Sequence, residues 1–295
     1  MSDRPGVSTF CAPNGLSVTS RTYWNRNLDT DNLSRSGADP FERLDEAIAF
    51  ASTPEFEWLR RQVGDVSGRR LVDLGGGMGV HGLIWARSGA RVVVADAALE
   101  RMRVMRRLAE RAGLGERVAC VAARAEAMPF AANCADVIFT KSVLIHTDLP
   151  RAAGEIHRVL KRGGRGAFIE PLDRNPIIRL YRRFFAPRVW KSITRYFDAE
   201  AMAELRRPFG RLRWKPFYLL SAGSFFWQYG WRSLPRFRRS LRRWRRAEVP
   251  VLRRFPALER WSWFASMVVT KTRDGGSATA AAGFRHPSGR HLGCK

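Results

Sequence analysis

The stretch Arg70-Leu71-Val72-Asp73-Leu74-Gly75-Gly76-Gly77-Met78-Gly79 constrains the fold of this chain more than any other. An apolar run ends in an acid and meets a glycine cluster, and an apolar, helix-compatible segment comes next over residues 80–87. That order predicts a strand, a tight turn and a helix N-terminus. Little side-chain bulk stands in the turn, so a ligand can lie against backbone N–H groups and the positive end of the helix.

From the turn onward the pattern alternates. Short apolar runs at residues 71–74, 91–95, 117–121, 136–140 and 165–170 predict strands, and helical patterns at 80–88, 98–112 and 151–160 separate most of them. Residues 122–133 read as a loop. This alternation predicts an α/β fold with a doubly wound, mostly parallel sheet, whose ligand sits at the strand C-terminal ends near the switch point. Two further strand candidates, 211–220 and 264–272, bring the sheet to seven strands, with a helical insertion between them. Asp39-Pro40 and Thr53-Pro54 each place an N-cap residue before a proline, so N-terminal helices precede the sheet. Within the insertion, residues 235–246 read as a helix. Leu234, Phe237, Leu241 and Trp244 share one face of it, and arginines cover the rest. The expected organisation is a lead and helical cover over 1–54, a ligand-binding core over 55–172, a basic aromatic region over 173–273, and a disordered tail over 274–295.

Charge is uneven along the chain. The net charge is +25, and residues 171–273 carry 25 basic against 6 acidic side chains. Seven of the ten tryptophans lie there too, so this region is both basic and aromatic. An anionic partner with an apolar side fits such a surface, above all a membrane. Nucleic acid is the rival reading. The four cysteines, Cys11, Cys120, Cys134 and Cys294, show no CxxC spacing, so neither a zinc site nor a disulfide framework is expected. Residues 1–20 lack the apolar core of a signal peptide and no apolar run reaches spanning length. The expected location is the cytoplasm, with peripheral attachment to the inner membrane face as an extension.

The glycines of the turn fall as GxGxG over Gly75, Gly77 and Gly79, not as the GxGxxG of dinucleotide sites. Asp96 ends the second strand, where a carboxylate can accept from both hydroxyls of a ribose. An adenosine ligand satisfies both features. Taken in order, residues 71–79, Asp96, Ala125-Glu126-Ala127-Met128-Pro129-Phe130, Ala135-Asp136-Val137-Ile138 and the run 155–164 resemble class I S-adenosylmethionine-dependent methyltransferases. The likeness is greatest to the type 11 branch that includes the ubiquinone/menaquinone-type C-methyltransferases, and it covers about residues 55–172. It implies a Rossmann-like sheet and S-adenosylmethionine as methyl donor. It also implies that Asp73, Gly75, Gly76 and Gly77 face the methionine end and that Asp96 binds the ribose. Ala97 and Met102 then lie near the adenine, Ala125 and Glu126 border it, and Thr140 and Lys141 lie near the sulfonium. Gly76 stands where the family often has cysteine. Arg124 stands where it often has the aspartate that pairs with the adenine amino group.

Methyl transfer is an in-line displacement, so the protein mainly aligns the partners and excludes water. A base is needed only where the acceptor must lose a proton. His146, just past strand four, is the candidate; its alternative is a loop histidine bonded to backbone. Glu170, at the end of strand five, is the second candidate, with a capping carboxylate as its alternative. His81 reads as structural, and Tyr23 and Trp24 as plain packing, with closure over the cofactor as the alternative. The Asn/Asp-Pro-Pro-Tyr/Phe motif of enzymes that methylate base amino groups is absent; Thr140-Lys141-Ser142-Val143 stands there. The expected activity is therefore methyl transfer to a hydrophobic small molecule or lipid, with residues 232–246 touching an anionic membrane. The alternative is a nucleic-acid-binding protein, or an RNA/DNA-associated methyltransferase, using the basic C-terminal region.

Overall fold

The computed structural model describes residues 44–272 apart from 79, 185, 187 and 232. Tyr23, Trp24, the Asp39-Pro40 helix start, Cys11, Cys294, Gly79 and the tail from 274 lie outside the described residues. Helices α1 (Leu44–Ala51) and α2 (Pro54–Val63) come first. Pro54 opens α2 as expected, but Thr53 does not cap it; its hydroxyl donates back to the Ala51 carbonyl at 3.4 Å. Phe56, Leu59 and Val63 recur at three- and four-residue steps and are buried, which turns one face of α2 onto the sheet.

The alternating core then runs β1 (Arg70–Leu74), α3 (Val80–Arg87), β2 (Arg91–Asp96), α4 (Leu99–Arg111), β3 (Val118–Ala122), β4 (Ala135–Lys141), α5 (Leu149–Val159) and β5 (Leu160–Pro171). Past β5 come α6 (Pro176–Phe184), α7 (Arg188–Ile193), α8 (Ala199–Arg206), β6 (Leu212–Phe217), α9 (Phe225–Tyr229), α10 (Leu234–Arg254) and β7 (Phe264–Thr270). The seven strands form one sheet in the order β3-β2-β1-β4-β5-β7-β6. Only β7 runs antiparallel, between β5 and β6.

The core strands are apolar on both faces because both faces are covered. Successive residues alternate sides: Leu71, Phe139 and Ala167 join the layer under α2, α3 and α4, while Val72, Ile138 and Phe168 join the layer under α5 and α8. The strand order reverses between β1 and β4, which opens a crevice at their C-terminal ends, bounded by residues 75–78 and 142–146.

Three differences from the sequence expectation have physical reasons. β5 starts at Leu160, not 165, because Gly163 at φ +77° bends the chain without ending the strand. α10 continues through Pro250 to Arg254, eight residues beyond the expected end at 246. Buried Glu248 holds that extension, since its Oε2 accepts from both the backbone N–H and the hydroxyl of Ser221, each at 2.8 Å. Finally, the face of Leu234, Phe237, Leu241 and Trp244 is not turned to an outside surface. Phe237 and Leu241 are buried in a cluster with Phe217, Tyr218 and Phe225, and only Trp244 is exposed. Aromatic partners from β6 and α9 supply the cover that the sequence pattern left open.

Candidate functional site

The glycine turn is shaped by its neighbours. Gly75 has φ +68°, and its N–H donates to the Ala95 carbonyl at 2.6 Å, tying the end of β1 to the end of β2. A Cβ at Gly75 would overlap the Val143 side chain, so the loop after β4 closes directly on the turn. A Cβ at Gly76 would come within 2.5 Å of a Val94 methyl and 3.0 Å of the Asp73 carboxylate. A cysteine in that place would need those groups to move, so the departure at Gly76 is a steric requirement of this chain.

Asp73 lies beneath the turn and is buried. Burial pushes its pKa up to about 7; the Gly82 N–H pulls the other way, and nearby Asp96 adds to the rise. Its Oδ2 has no hydrogen-bond partner among the described residues. Asp96 is half-buried at the end of β2, with Oδ2 accepting from the Gly77 N–H at 2.9 Å and Oδ1 from the Ala98 N–H at 2.8 Å. A side-chain-poor cradle, a buried acceptor under it and a carboxylate at its rim fit the methionine and ribose ends of S-adenosylmethionine. Ala97 is half-buried beside Asp96, Met102 is buried in the first turn of α4, and Ala125 is buried in the loop after β3. Glu126 is engaged within the protein: Oε1 accepts from the Asp148 N–H at 3.1 Å and Oε2 meets Arg124 Nε at 3.4 Å. It therefore pins the loop after β3 to the start of α5.

The other wall is the exit of β4. Ser142 adopts φ +56°, a left-handed conformation that a serine holds only under surrounding constraint. It turns the chain into a 3₁₀ turn, Leu144–His146. Glu170 secures that turn and is fully buried. Its Oε1 accepts from Thr140 Oγ1 at 3.1 Å, Val143 N–H at 3.2 Å and Leu144 N–H at 3.1 Å. Burial raises its pKa to about 7 despite those donors. His146 Nδ1 lies 2.9 Å from the Ile193 carbonyl and 3.3 Å from Thr194 Oγ1. A carbonyl only accepts, so Nδ1 carries the proton and Nε2 carries the lone pair. Burial holds the His146 pKa below the ordinary imidazole value, opposed by the Ile193 carbonyl. The Arg195 N–H also donates to the Ile145 carbonyl at 2.7 Å. The segment after α7 is thus stitched to the turn that carries His146.

Lys141, expected near the sulfonium, points to a partner that sequence reasoning missed. Its Nζ pairs with Glu55 Oε1 of α2 at 3.2 Å, and the Tyr218 hydroxyl donates to Glu55 Oε2. Glu55 and Tyr218 are almost fully buried, and they lie 86 and 77 positions from Lys141 in the chain, so no local motif signals them. His81, read from the sequence as structural, packs edge-on to Phe56 and tilted against Phe139, at centroid distances of 4.7 and 5.4 Å. The structure thus gathers Asp73, the glycines and Asp96 at one wall, and Glu170, His146 and Lys141 at the other. Among the described residues, no group of His, Cys, Asp and Glu is arranged to hold a metal ion, and no helix is long and apolar enough to cross a membrane.

Residues 72–168 match a family profile described as a methyltransferase domain. A comparison with curated protein sequences finds no match. Among solved structures, the chain is similar to the [4+2]-cyclase SpnF, at 22% identity and TM-score 0.52, over 73% of this chain and 79% of that one. It is similar to geranyl diphosphate C-methyltransferase from Streptomyces coelicolor A3(2), at 15% identity and TM-score 0.53, over 73% and 76% of the two chains. It is also similar to a phosphoethanolamine N-methyltransferase of Haemonchus contortus, at 13% identity and TM-score 0.54, over 89% of this chain and 61% of that one. These likenesses establish the fold, and the domain match falls on the strands that carry the glycine turn, Asp96 and β4. Residues 72–168 are thus a methyltransferase domain, with S-adenosylmethionine as its cofactor.

Proposed function

We propose that this chain methylates a hydrophobic small molecule or lipid, with His146 as the base where the acceptor carries a proton. The observation behind this is the join between the 3₁₀ turn of His146 and residues 193–195 of the region after β5. That region would choose the acceptor, and it is the basic, aromatic part of the chain. In this reading residues 55–172 hold the methyl donor and 173–273 form the acceptor cover. Two neighbours with this fold carry small phosphorylated substrates in their crystals, geranyl diphosphate and phosphomonomethylethanolamine, which supports a small anionic or amphipathic acceptor here.

The cofactor supplies an electrophilic methyl group whose leaving group is neutral. The chain's residues do the rest. The turn at Gly75–Gly77 has no side chain in the way, so the donor can lie against its backbone, and the Asp96 carboxylate orients the ribose. Neutral His146, its tautomer set by the Ile193 carbonyl, accepts the acceptor's proton at Nε2. In this reading Glu170 positions the turn that carries His146, through its bonds to Thr140, Val143 and Leu144. Lys141 is held off the acceptor by Glu55, so it shapes the wall.

The test is transfer of a labelled methyl group into lipid extracts. Label in the organic phase supports the reading, and label in RNA or DNA contradicts it. For a proton-bearing acceptor, His146→Ala should cut kcat by about a hundred- to ten-thousand-fold with S-adenosylhomocysteine affinity unchanged. Full turnover in that variant would remove His146 from the mechanism.

A further inference from the structure

Helix α6 is built inside out. It leaves the C-terminal end of β5, and its inward positions are mostly polar anchors. Asn175 is buried just before it, with Oδ1 accepting from the Ile178 N–H at 3.0 Å and Nδ2 donating to the carbonyls of Trp261 at 2.8 Å and Tyr218 at 3.4 Å. Arg182 reaches back to the Leu172 carbonyl at 3.0 Å and lies 3.3 Å over the Tyr196 ring. Asn175, Ile178 and Arg182 fall three and four residues apart, so they define the inner face, and Ile178 is the one buried apolar residue of the helix. The apolar stripe points the other way. Ile177, Leu180, Tyr181 and Phe184 are 56, 59, 47 and 65% exposed. An ordinary surface helix buries that stripe, and clustered exposed apolar groups of this size mark an interaction site.

Charge identifies the occupant. Arg174, Arg179 and Arg183 are exposed around the stripe. Between residues 174 and 197 the chain has seven basic and no acidic side chains. A stripe of Ile, Leu, Tyr and Phe set among exposed arginines, with Asp173 drawn inward towards Arg182, matches an anionic lipid surface, where the apolar groups enter the acyl boundary and the guanidiniums meet phosphates.

We infer that α6 docks this protein onto anionic membrane surfaces, in place of the α10 face that the sequence pattern suggested. The position gives the docking a purpose. Tyr196, stacked under Arg182, is three residues from Ile193, whose carbonyl holds His146. Docking through α6 therefore sets the acceptor side of the crevice close to the bilayer, where a lipophilic acceptor resides. This deepens the proposed acceptor class and rests on it.

The experiment is flotation of the full chain with vesicles of phosphatidylcholine alone and of phosphatidylcholine with phosphatidylglycerol. Calorimetry with S-adenosylhomocysteine and size-exclusion chromatography are run on the same samples. The wild type should float with the anionic vesicles and not with the neutral ones. The exposed double substitution Leu180→Glu, Phe184→Glu should lower partitioning roughly tenfold or more, and Arg179→Glu, Arg183→Glu should also lower it. Both variants should keep S-adenosylhomocysteine affinity, which shows that they are folded. The inference is overturned if the wild type binds S-adenosylhomocysteine but ignores anionic vesicles, or if the Leu180/Phe184 variant floats like wild type. It is equally overturned if the wild type self-associates through this face, or binds RNA, without binding vesicles. Docking without methyl transfer to any lipid-phase acceptor would leave α6 standing and remove the acceptor reading instead.

Discussion

At the scale of single residues, two buried carboxylates carry a pH signature. Glu170 and Asp73 each have a pKa raised by burial to about 7. The folded protein therefore holds these protons more tightly than the unfolded chain, and from about pH 4.5 to 7 their contribution to stability falls as pH rises. Half-buried His81 and His146 have pKa values lowered by desolvation and act in the opposite sense, losing stability as pH drops. A comparison of variants separates the two. Relative to wild type, Glu170→Gln should be more favourable at pH 8 than at pH 5 in thermal melts, because the glutamine never ionises. A difference independent of pH would mean that Glu170 does not titrate in this range. The placement of Asp96 and the three glycines was legible in sequence because it derives from strand ends and short spacings. Glu170 was legible as a strand-end carboxylate, but its capping bonds to Val143 and Leu144 depend on a tertiary turn.

Among the elements, α2 shows how distant residues fix a wall of the site. Arg165 of β5 caps its end, with Nη1 donating to the Gln62 and Val63 carbonyls at 2.6 and 2.7 Å. The Ser266 hydroxyl of β7 donates to the Glu55 carbonyl at 3.0 Å. Lys141 and Tyr218 then meet the Glu55 side chain. Lys141→Met would leave that carboxylate buried with its ion pair gone, and should cost about 3 kcal/mol in urea unfolding. The double substitution Glu55→Gln, Lys141→Met should recover most of the loss, since replacing both partners removes the stranded charge. A cost near zero for Lys141→Met would show that water reaches the pair. Most helices and all seven strands were readable from period and punctuation, but which faces they bury was not. The α10 stripe of Phe237 and Leu241 and the α6 stripe of Leu180 and Phe184 look alike in sequence. Only the packing of Phe217, Tyr218 and Phe225 against α10, and of Asn175 and Arg182 behind α6, tells them apart.

For the molecule as a whole, the sheet divides the work. The β3-β2-β1-β4 half carries the glycine turn and Asp96, and its sequence is regular enough to declare the fold. The β5-β7-β6 half, with its helices, carries most of the excess positive charge. Its order was less legible because β7 enters between β5 and β6 after a segment from 218 to 263 that no short motif governs. The central claim is that the turn at Gly75–Gly77 and the carboxylate of Asp96 hold S-adenosylmethionine. Titration calorimetry with S-adenosylhomocysteine on the full chain and on Asp96→Ala tests it most directly. The expected result is binding to the wild type and a loss of about 1.5–3 kcal/mol in the variant, as charge-assisted hydrogen bonds disappear. Equal affinity in the two proteins, or binding of NAD with none of S-adenosylhomocysteine, would contradict it.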